Sequence, residues 1–334
     1  MLFRSNCHSA VTVIGTGQNA GGLAGSNTGT MTNCYTTMPV SGVGFAGGLA
    51  GTTNGTISNC HASGNVDGGA AAYTGGLVGM YINGTMSNCY ATGNVTSSGN
   101  YLGGLVGTNG QTESNTPTIT QCHASGTVTG TTNYIGGLVG NNTLAATISR
   151  SYATGAVTGN NYVGGCVGSN SGTINKSYGS GSASCSGMMV GGFVGANYSG
   201  TIADCFTWGG VSLSVAGAYH IGGFAGCNDG TGTISNSYSN NVVNSSGCLG
   251  DRYAAFVGYH NGTGTYTSCY FDSSKSNLPD ARDNTIAAVN LDGVDGYPTA
   301  TMLLQATYIG WDFSGTWTYI TNSYPLLTGL PSPY

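Results

Sequence analysis

The sequence predicts an all-β fold, a parallel β-solenoid (β-helix) of about nine to ten coils with a C-terminal cap, and three observations predict it. A pentapeptide of the type Gly-Gly-Leu-Val-Gly begins at Gly21, Gly47, Gly75, Gly103, Gly136, Gly164, Gly191 and Gly222, and recurs as Ala-Ala-Phe-Val-Gly at Ala254. Successive copies lie 26 to 33 residues apart, a period at which each unit is one layer of a stacked array rather than a domain of its own. The intervening segments align into columns that alternate small or apolar with polar residues, which is strand patterning. With 61 Gly among 334 residues, helix is opposed by roughly 1 kcal/mol per interior Gly. Stacked at about 4.8 Å per coil, the array would be a rod on the order of 45 Å long.

Each element of a coil has its own reason. The pentapeptide puts one or two apolar side chains inside while its glycines let the backbone turn or approach a neighbour closely. It is not a phosphate loop, which needs a Lys and a single strand-to-helix junction. A strand follows at Thr56-Ile57, Thr85-Met86, Thr118-Ile119, Thr147-Ile148, Thr173-Ile174, Thr201-Ile202 and Thr233-Ile234. Next comes a Cys or Ser column, with Cys34, Cys60, Cys89, Cys122, Ser151, Ser177, Cys205 and Ser237 between Cys7 and Cys269. Small size and burial suit both residue types to a packed interior, with Ser as the substitute for an apolar Cys.

An aromatic or His column stands one residue on: His8, Tyr35, His61, Tyr90, His123, Tyr152, Tyr178, Phe206, Tyr238 and Tyr270. Cys-His occurs at Cys7-His8, Cys60-His61 and Cys122-His123, yet adjacent strand residues face opposite sides, so this is a stacked aromatic ladder rather than a zinc site. A Val column follows at Val13, Val40, Val66, Val95, Val128, Val157, Val211 and Val243, with Ala183 in one coil. Phe45, Tyr73, Tyr101, Tyr134, Tyr162 and His220 form a second aromatic column just before the pentapeptide. An Asn column (Asn27, Asn109, Asn142, Asn170, Asn197, Asn228, with His260 in its place at the end) is expected at a turn. There Asn tolerates left-handed backbone and can bond to its equivalent one coil away.

The unit Gly-Gly-Leu-Val-Gly followed by Gly-Thr-Ile-Ser-Asn-Cys-Tyr-Ala-Thr-Gly-Asn-Val resembles the GLUG repeat of bacterial secreted and cell-surface proteins, including the non-catalytic part of IgA-specific metallopeptidases. The segments Ser268–Asp272 and Thr307–Phe313, with Trp317 and Ser323–Leu326, resemble the closing segment that often follows such arrays. The resemblance implies repeats over 1–271, a capping segment over 272–334, and an extracellular or cell-surface location. It implies no shared activity, because the family is defined by a structural repeat.

Function classes narrow accordingly. Only 5% of residues are charged and the net charge is -5, so no basic stripe exists for nucleic acid. No run of 18 apolar residues exists to enter a membrane. Residues Met1 to Val13 are expected to belong to a coil already, with Cys7-His8 in register, which leaves no room for a signal peptide; either the export signal lies elsewhere or, the favoured reading, the chain is a fragment or processed form of a longer protein. There is no His-Glu-x-x-His signature and only one Glu, Glu113, so protease activity is not expected. Glycosidase or lyase chemistry needs paired carboxylates or a base beside a cation, and no such pair shares a column. No cofactor is called for. The array reads as a surface stalk, adhesin or filament subunit, pairing with itself end to end or by an edge, or holding a surface glycan or protein receptor.

Four narrower expectations follow. Asp280, Asp283, Asp292 and Asp295 form a weak Ca²⁺ candidate against a solvated-loop alternative. Trp311 and Trp317 belong either to the cap, with a hairpin over Trp311 to Ile320, or to a glycan contact. Cys185 and Cys248, outside the column, are the better candidates for a disulfide bridge or an intermolecular link. Ice binding ranks lower, since the Thr column is read as lacking a second Thr two residues along.

Overall fold

The computed structural model describes residues 3–214, 219–246, 253–278, 280–281 and 291–333. Short strands recur coil after coil; the coil around residue 130 holds Thr118–Thr120, His123–Ala124, Val128–Gly130, Asn133–Gly136 and Val139–Asn142. Each pairs with its equivalent above and below to give four parallel sheets, of ten, nine, eighteen and nine strands. The chain is therefore a parallel β-solenoid of about ten turns. The ten-stranded sheet runs in sequence order with Ile119 opposite Met86 on one side and Ile148 on the other.

Two kinds of corner make the coil. The residue before each Cys or Ser of the column (Asn33, Asn59, Asn88, Gln121, Arg150, Lys176, Asp204, Asn236, Ser268) is left-handed, with φ between 44° and 54°. Asn is the commonest occupant because it tolerates this region better than other residues with a Cβ. The pentapeptide supplies a different device. Gly76 has no left-handed φ, but a Cβ there would lie 2.1 Å from the Gly104 carbonyl oxygen and 2.9 Å from the Ala91 Cβ. Close backbone approach between successive coils, rather than turn geometry, demands this glycine.

The interior is filled by columns. Ile57, Met86, Ile119 and Ile148 meet Leu77, Leu105, Leu138 and Cys166 in one buried cluster, while Val95, Val128, Val157, Leu102 and Ile135 form a second. Phe193, Phe224 and Phe256 occupy the Leu column in later coils and stack at 5.0 and 4.9 Å.

The stack continues past residue 271. Val294–Tyr297 pairs in parallel with Cys269–Asp272, and the amides of Ala255 and Val257 donate to the carbonyls of Asp280 and Ala281. Part of 272–297 thus adds a partial layer to the last coil. The remainder, 299–333, runs along the flank of the solenoid, where Met302, Tyr308, Trp311, Trp317, Tyr324 and Leu327 cover the rings of Tyr178, Phe206, Tyr238 and Tyr270. Asp272 ties these parts together. Its buried carboxylate caps the Ser273–Ser276 helix through the amides of Ser274 and Lys275 and accepts from the hydroxyls of Thr299 and Tyr324.

The hairpin differs from expectation. Trp317–Thr318 pairs antiparallel with Leu326–Leu327, whereas residues 312–316 wrap around the Asp312 carboxylate, which accepts from the amides of Ser314, Gly315 and Thr316 and the hydroxyls of Ser314 and Thr316. Those bonds, led by the ones from Ser314 and Thr316, hold Asp312 at about 2. A strand cannot start until this loop ends.

Candidate functional site

The side chains most easily taken for reactive groups stand in ladders, each with a distinct hydrogen-bond logic. In the Cys column, the Cys60 amide donates to the Cys89 sulfur at 3.4 Å and the Cys89 amide to the Cys122 sulfur at 3.4 Å. The series goes on with Cys122 to the Ser151 hydroxyl at 3.1 Å and Ser151 to Ser177 at 3.2 Å. Each thiol or hydroxyl in turn donates to the carbonyl two residues earlier, as Cys89 does to Ser87 at 3.2 Å and Ser151 to Ser149 at 2.7 Å. The column therefore selects a small acceptor for a buried corner amide. The apolar reading of Cys is corrected on this point: Ser substitutes because it is polar, not in spite of it.

Burial pushes the Cys227 and Cys269 thiols up to about 12, and those of Cys166 and Cys205 well up. Cys60 and Cys89 are raised first by their bonds to the next column thiol and also by burial. Buried neutral thiols of this kind are poor nucleophiles. Cys34, Cys60, Cys89 and Cys122 are unbridged. Cys185 is buried in the second core cluster, and Cys248, the other disulfide candidate, lies outside the described residues.

The Asn column is an internal amide ladder. The amide nitrogens of Asn109, Asn142, Asn170 and Asn197 each donate to the side-chain oxygen one coil on, at 2.8 Å every time. Asn109, Asn142 and Asn170 end their strands, Asn197 lies one residue before the end of its own, and none has a left-handed φ. The expected left-handed turn belongs instead to the asparagines beside the Cys column. His260 does lie opposite Asn228, but the ladder ends on the Tyr266 hydroxyl, 2.9 Å from the Asn228 nitrogen and 2.9 Å from His260 Nδ1.

His8, Tyr35, His61, Tyr90, His123, Tyr152, Tyr178, Phe206 and Tyr238 stack continuously, with successive centroids 4.6 to 5.2 Å apart and planes within 14° of parallel. Each histidine is separated from the next by a tyrosine, too far for shared metal coordination. Among the described residues no three His, Cys, Asp or Glu side chains gather as for a metal. Burial lowers the His61 and His123 pKa values. From Tyr178 onward the ladder is covered by the closing segment, and from His8 to Tyr152 its ring edges face outward.

Other candidates disperse. Asp280 is half-buried, Asp292 and Asp295 are exposed and line one cavity of about 330 Å³, and Asp283 lies outside the described residues, so no three-ligand Ca²⁺ cluster forms among the described residues. Trp311 and Trp317 are 7% and 1% exposed and stack on one another at 4.3 Å, their indole N–H groups directed to the Ser268 carbonyl and the Asp204 carboxylate. They pack the closing segment and offer no platform for a sugar. A groove of about 340 Å³ bounded by Pro39, Asn65 and Thr96 has Asp67 as its ionisable side chain, and that carboxylate accepts from the Gly69 amide.

The outer surface of the ten-stranded sheet departs from the expectation for its Thr column. Two residues beyond Thr30, Thr85, Thr118, Thr147 and Thr233 stand Thr32, Ser87, Thr120, Ser149 and Ser235 on the same face, while Asn175 and Ala203 interrupt the column beyond Thr173 and Thr201. Neighbouring hydroxyls of this second column touch, at 3.1 Å for Thr32 and Ser58 and 3.0 Å for Ser149 and Thr120. A search for Thr alone overlooks the Ser that alternates with the buried Ile.

Comparison with known proteins agrees with the coil pattern. The family described as "The GLUG motif" matches residues 45–67, 70–96, 98–129, 131–158 and 217–244. No curated protein matches the chain. A crystal structure of a Bacteroides ovatus protein provisionally named an immunoglobulin A1 protease aligns over 96% of this chain and 92% of its own, at 15% identity and a TM-score of 0.37. So low a score carries no argument about this chain.

Proposed function

This chain is a GLUG-repeat protein, and from that premise we propose that it is a non-enzymatic extracellular scaffold, a rod serving as surface stalk, adhesin or filament subunit. One observation supports this above the rest: the thiols, amides and imidazoles that chemistry would require are spent coil after coil on the Cys, Asn and aromatic ladders. Surface solubility then rests on uncharged Asn, Ser and Thr, with 5% charged residues overall. Negative-stain imaging of native material separates an isolated rod from a filament, and glycan-array or cell-surface binding tests the adhesin role. Depolymerisation of a polysaccharide or cleavage of an immunoglobulin by the purified chain would overturn the proposal.

A second reading is favoured by the paired hydroxyl columns of the ten-stranded sheet. Spaced about 6.6 Å along the strand and about 4.8 Å between coils, they form a two-column hydroxyl array, interrupted at Asn175 and Ala203, able to order water. Thermal hysteresis in dilute solution would support an ice-binding role, and its absence at millimolar concentration would remove it.

A further inference from the structure

We propose that the uncovered half of the aromatic ladder, from His8 to Tyr152, is a docking track for a proline- and leucine-bearing peptide segment of a partner protein. The closing segment shows how the ladder holds such a chain. Over coils seven to ten it lays Leu326, Leu327 and Leu330 against the rings, and two tyrosine hydroxyls donate to prolyl carbonyls: Tyr238 to Pro325 at 2.9 Å and Tyr178 to Pro331 at 3.0 Å. Phe206, between them, has no hydroxyl, so the donors recur at every second coil. The uncovered half repeats that period, because Tyr35, Tyr90 and Tyr152 alternate with His61 and His123.

The ladder is continuous across the boundary, with Tyr152 stacked on Tyr178 at 4.9 Å and already packed against the closing cluster. The hydroxyls of Tyr35, Tyr90 and Tyr152 make no hydrogen bond to another described residue. Ring geometry also selects the class of ligand. Both ring faces are taken by neighbours from Tyr35 to Tyr152, with planes 1° to 10° apart, so along those rings a sugar has no face to stack on and only edges and hydroxyls are offered. Proline suits this surface because it brings a carbonyl without an N–H that would need a partner. A second copy of the chain is a poorer occupant, since its own closing segment is tied down through Asp272, Thr299 and Tyr324. This inference stands on the ladder and not on the extracellular reading.

The test is fluorescence anisotropy of the full chain with an end-blocked, labelled peptide of the sequence Tyr-Pro-Leu-Leu-Thr-Gly-Leu-Pro-Ser-Pro, that of residues 324–333. Saturable binding is expected, weakened about tenfold or more in the triple variant Tyr35→Phe, Tyr90→Phe, Tyr152→Phe, because each lost hydrogen bond is worth roughly a fivefold change. Phe is already a ladder residue at Phe206, so the variant should keep the wild-type circular dichroism spectrum. Equal binding by the triple variant, no binding at millimolar peptide, or peptide-free self-association abolished by the same three substitutions would each overturn the proposal.

Discussion

At Cys89 the side chain is an acceptor in a ladder, and this fixes what can replace it. Cys89→Ser keeps the acceptor and should change stability by less than about 1 kcal/mol, whereas Cys89→Ala orphans the buried Cys60 amide and should cost about 1–3 kcal/mol in urea unfolding. A titrating pair, His61 and His123, gives a second residue-scale outcome. Burial lowers both pKa values in the folded chain, so their contribution is fully present above the unfolded value of about 6.5. As pH falls through that value the unfolded state takes up protons first and stability is lost until the lower folded-state pKa is passed. The melting temperature should therefore drop as the pH falls below about 6.5, and the double variant His61→Tyr, His123→Tyr should flatten that part of the profile.

A coil is the natural element here, and its tightest constraint is the glycine pair. A Cβ on Gly104 would sit 2.1 Å from the Gly137 carbonyl oxygen and 3.0 Å from the Ala124 Cβ, contacts that only a shift of the backbone could relieve. Gly104→Ala should cost about 3 kcal/mol by overpacking, seen as a lowered urea midpoint; a near-neutral result would mean that adjacent coils can separate locally. Much of the coil was legible in the sequence: the Cys, aromatic, Val and Thr columns all stand in register. Two assignments were not. Both Asn columns share one residue type, and only the path of the chain shows that Asn59 turns a corner with left-handed φ while Asn170 sits inside as an amide rung. Cys and Ser interchange equally well as packing or as hydrogen bonding until the donor, a main-chain amide one coil away, is seen.

For the whole molecule, the closing segment matters as a flank cover as well as a terminus. Truncation after Pro298 should expose Tyr178, Phe206, Tyr238 and Tyr270, raising dye binding and concentration-dependent aggregation while leaving the β-type circular dichroism of the earlier coils in place, because solenoid stability is a sum of local and nearest-neighbour terms. Loss of all β signal on truncation would show instead that the array depends on this segment to fold. Repetition let the sequence by itself determine the solenoid, its columns and its family, since a column that recurs every coil leaves in-register stacking as the economical way to bury it. Where the non-repeating residues go was decided by tertiary structure alone. Trp311 and Trp317 have no register to read, and their placement on the ladder's flank follows from contacts more than a hundred residues apart, such as Trp317 with Asp204, which no local pattern encodes.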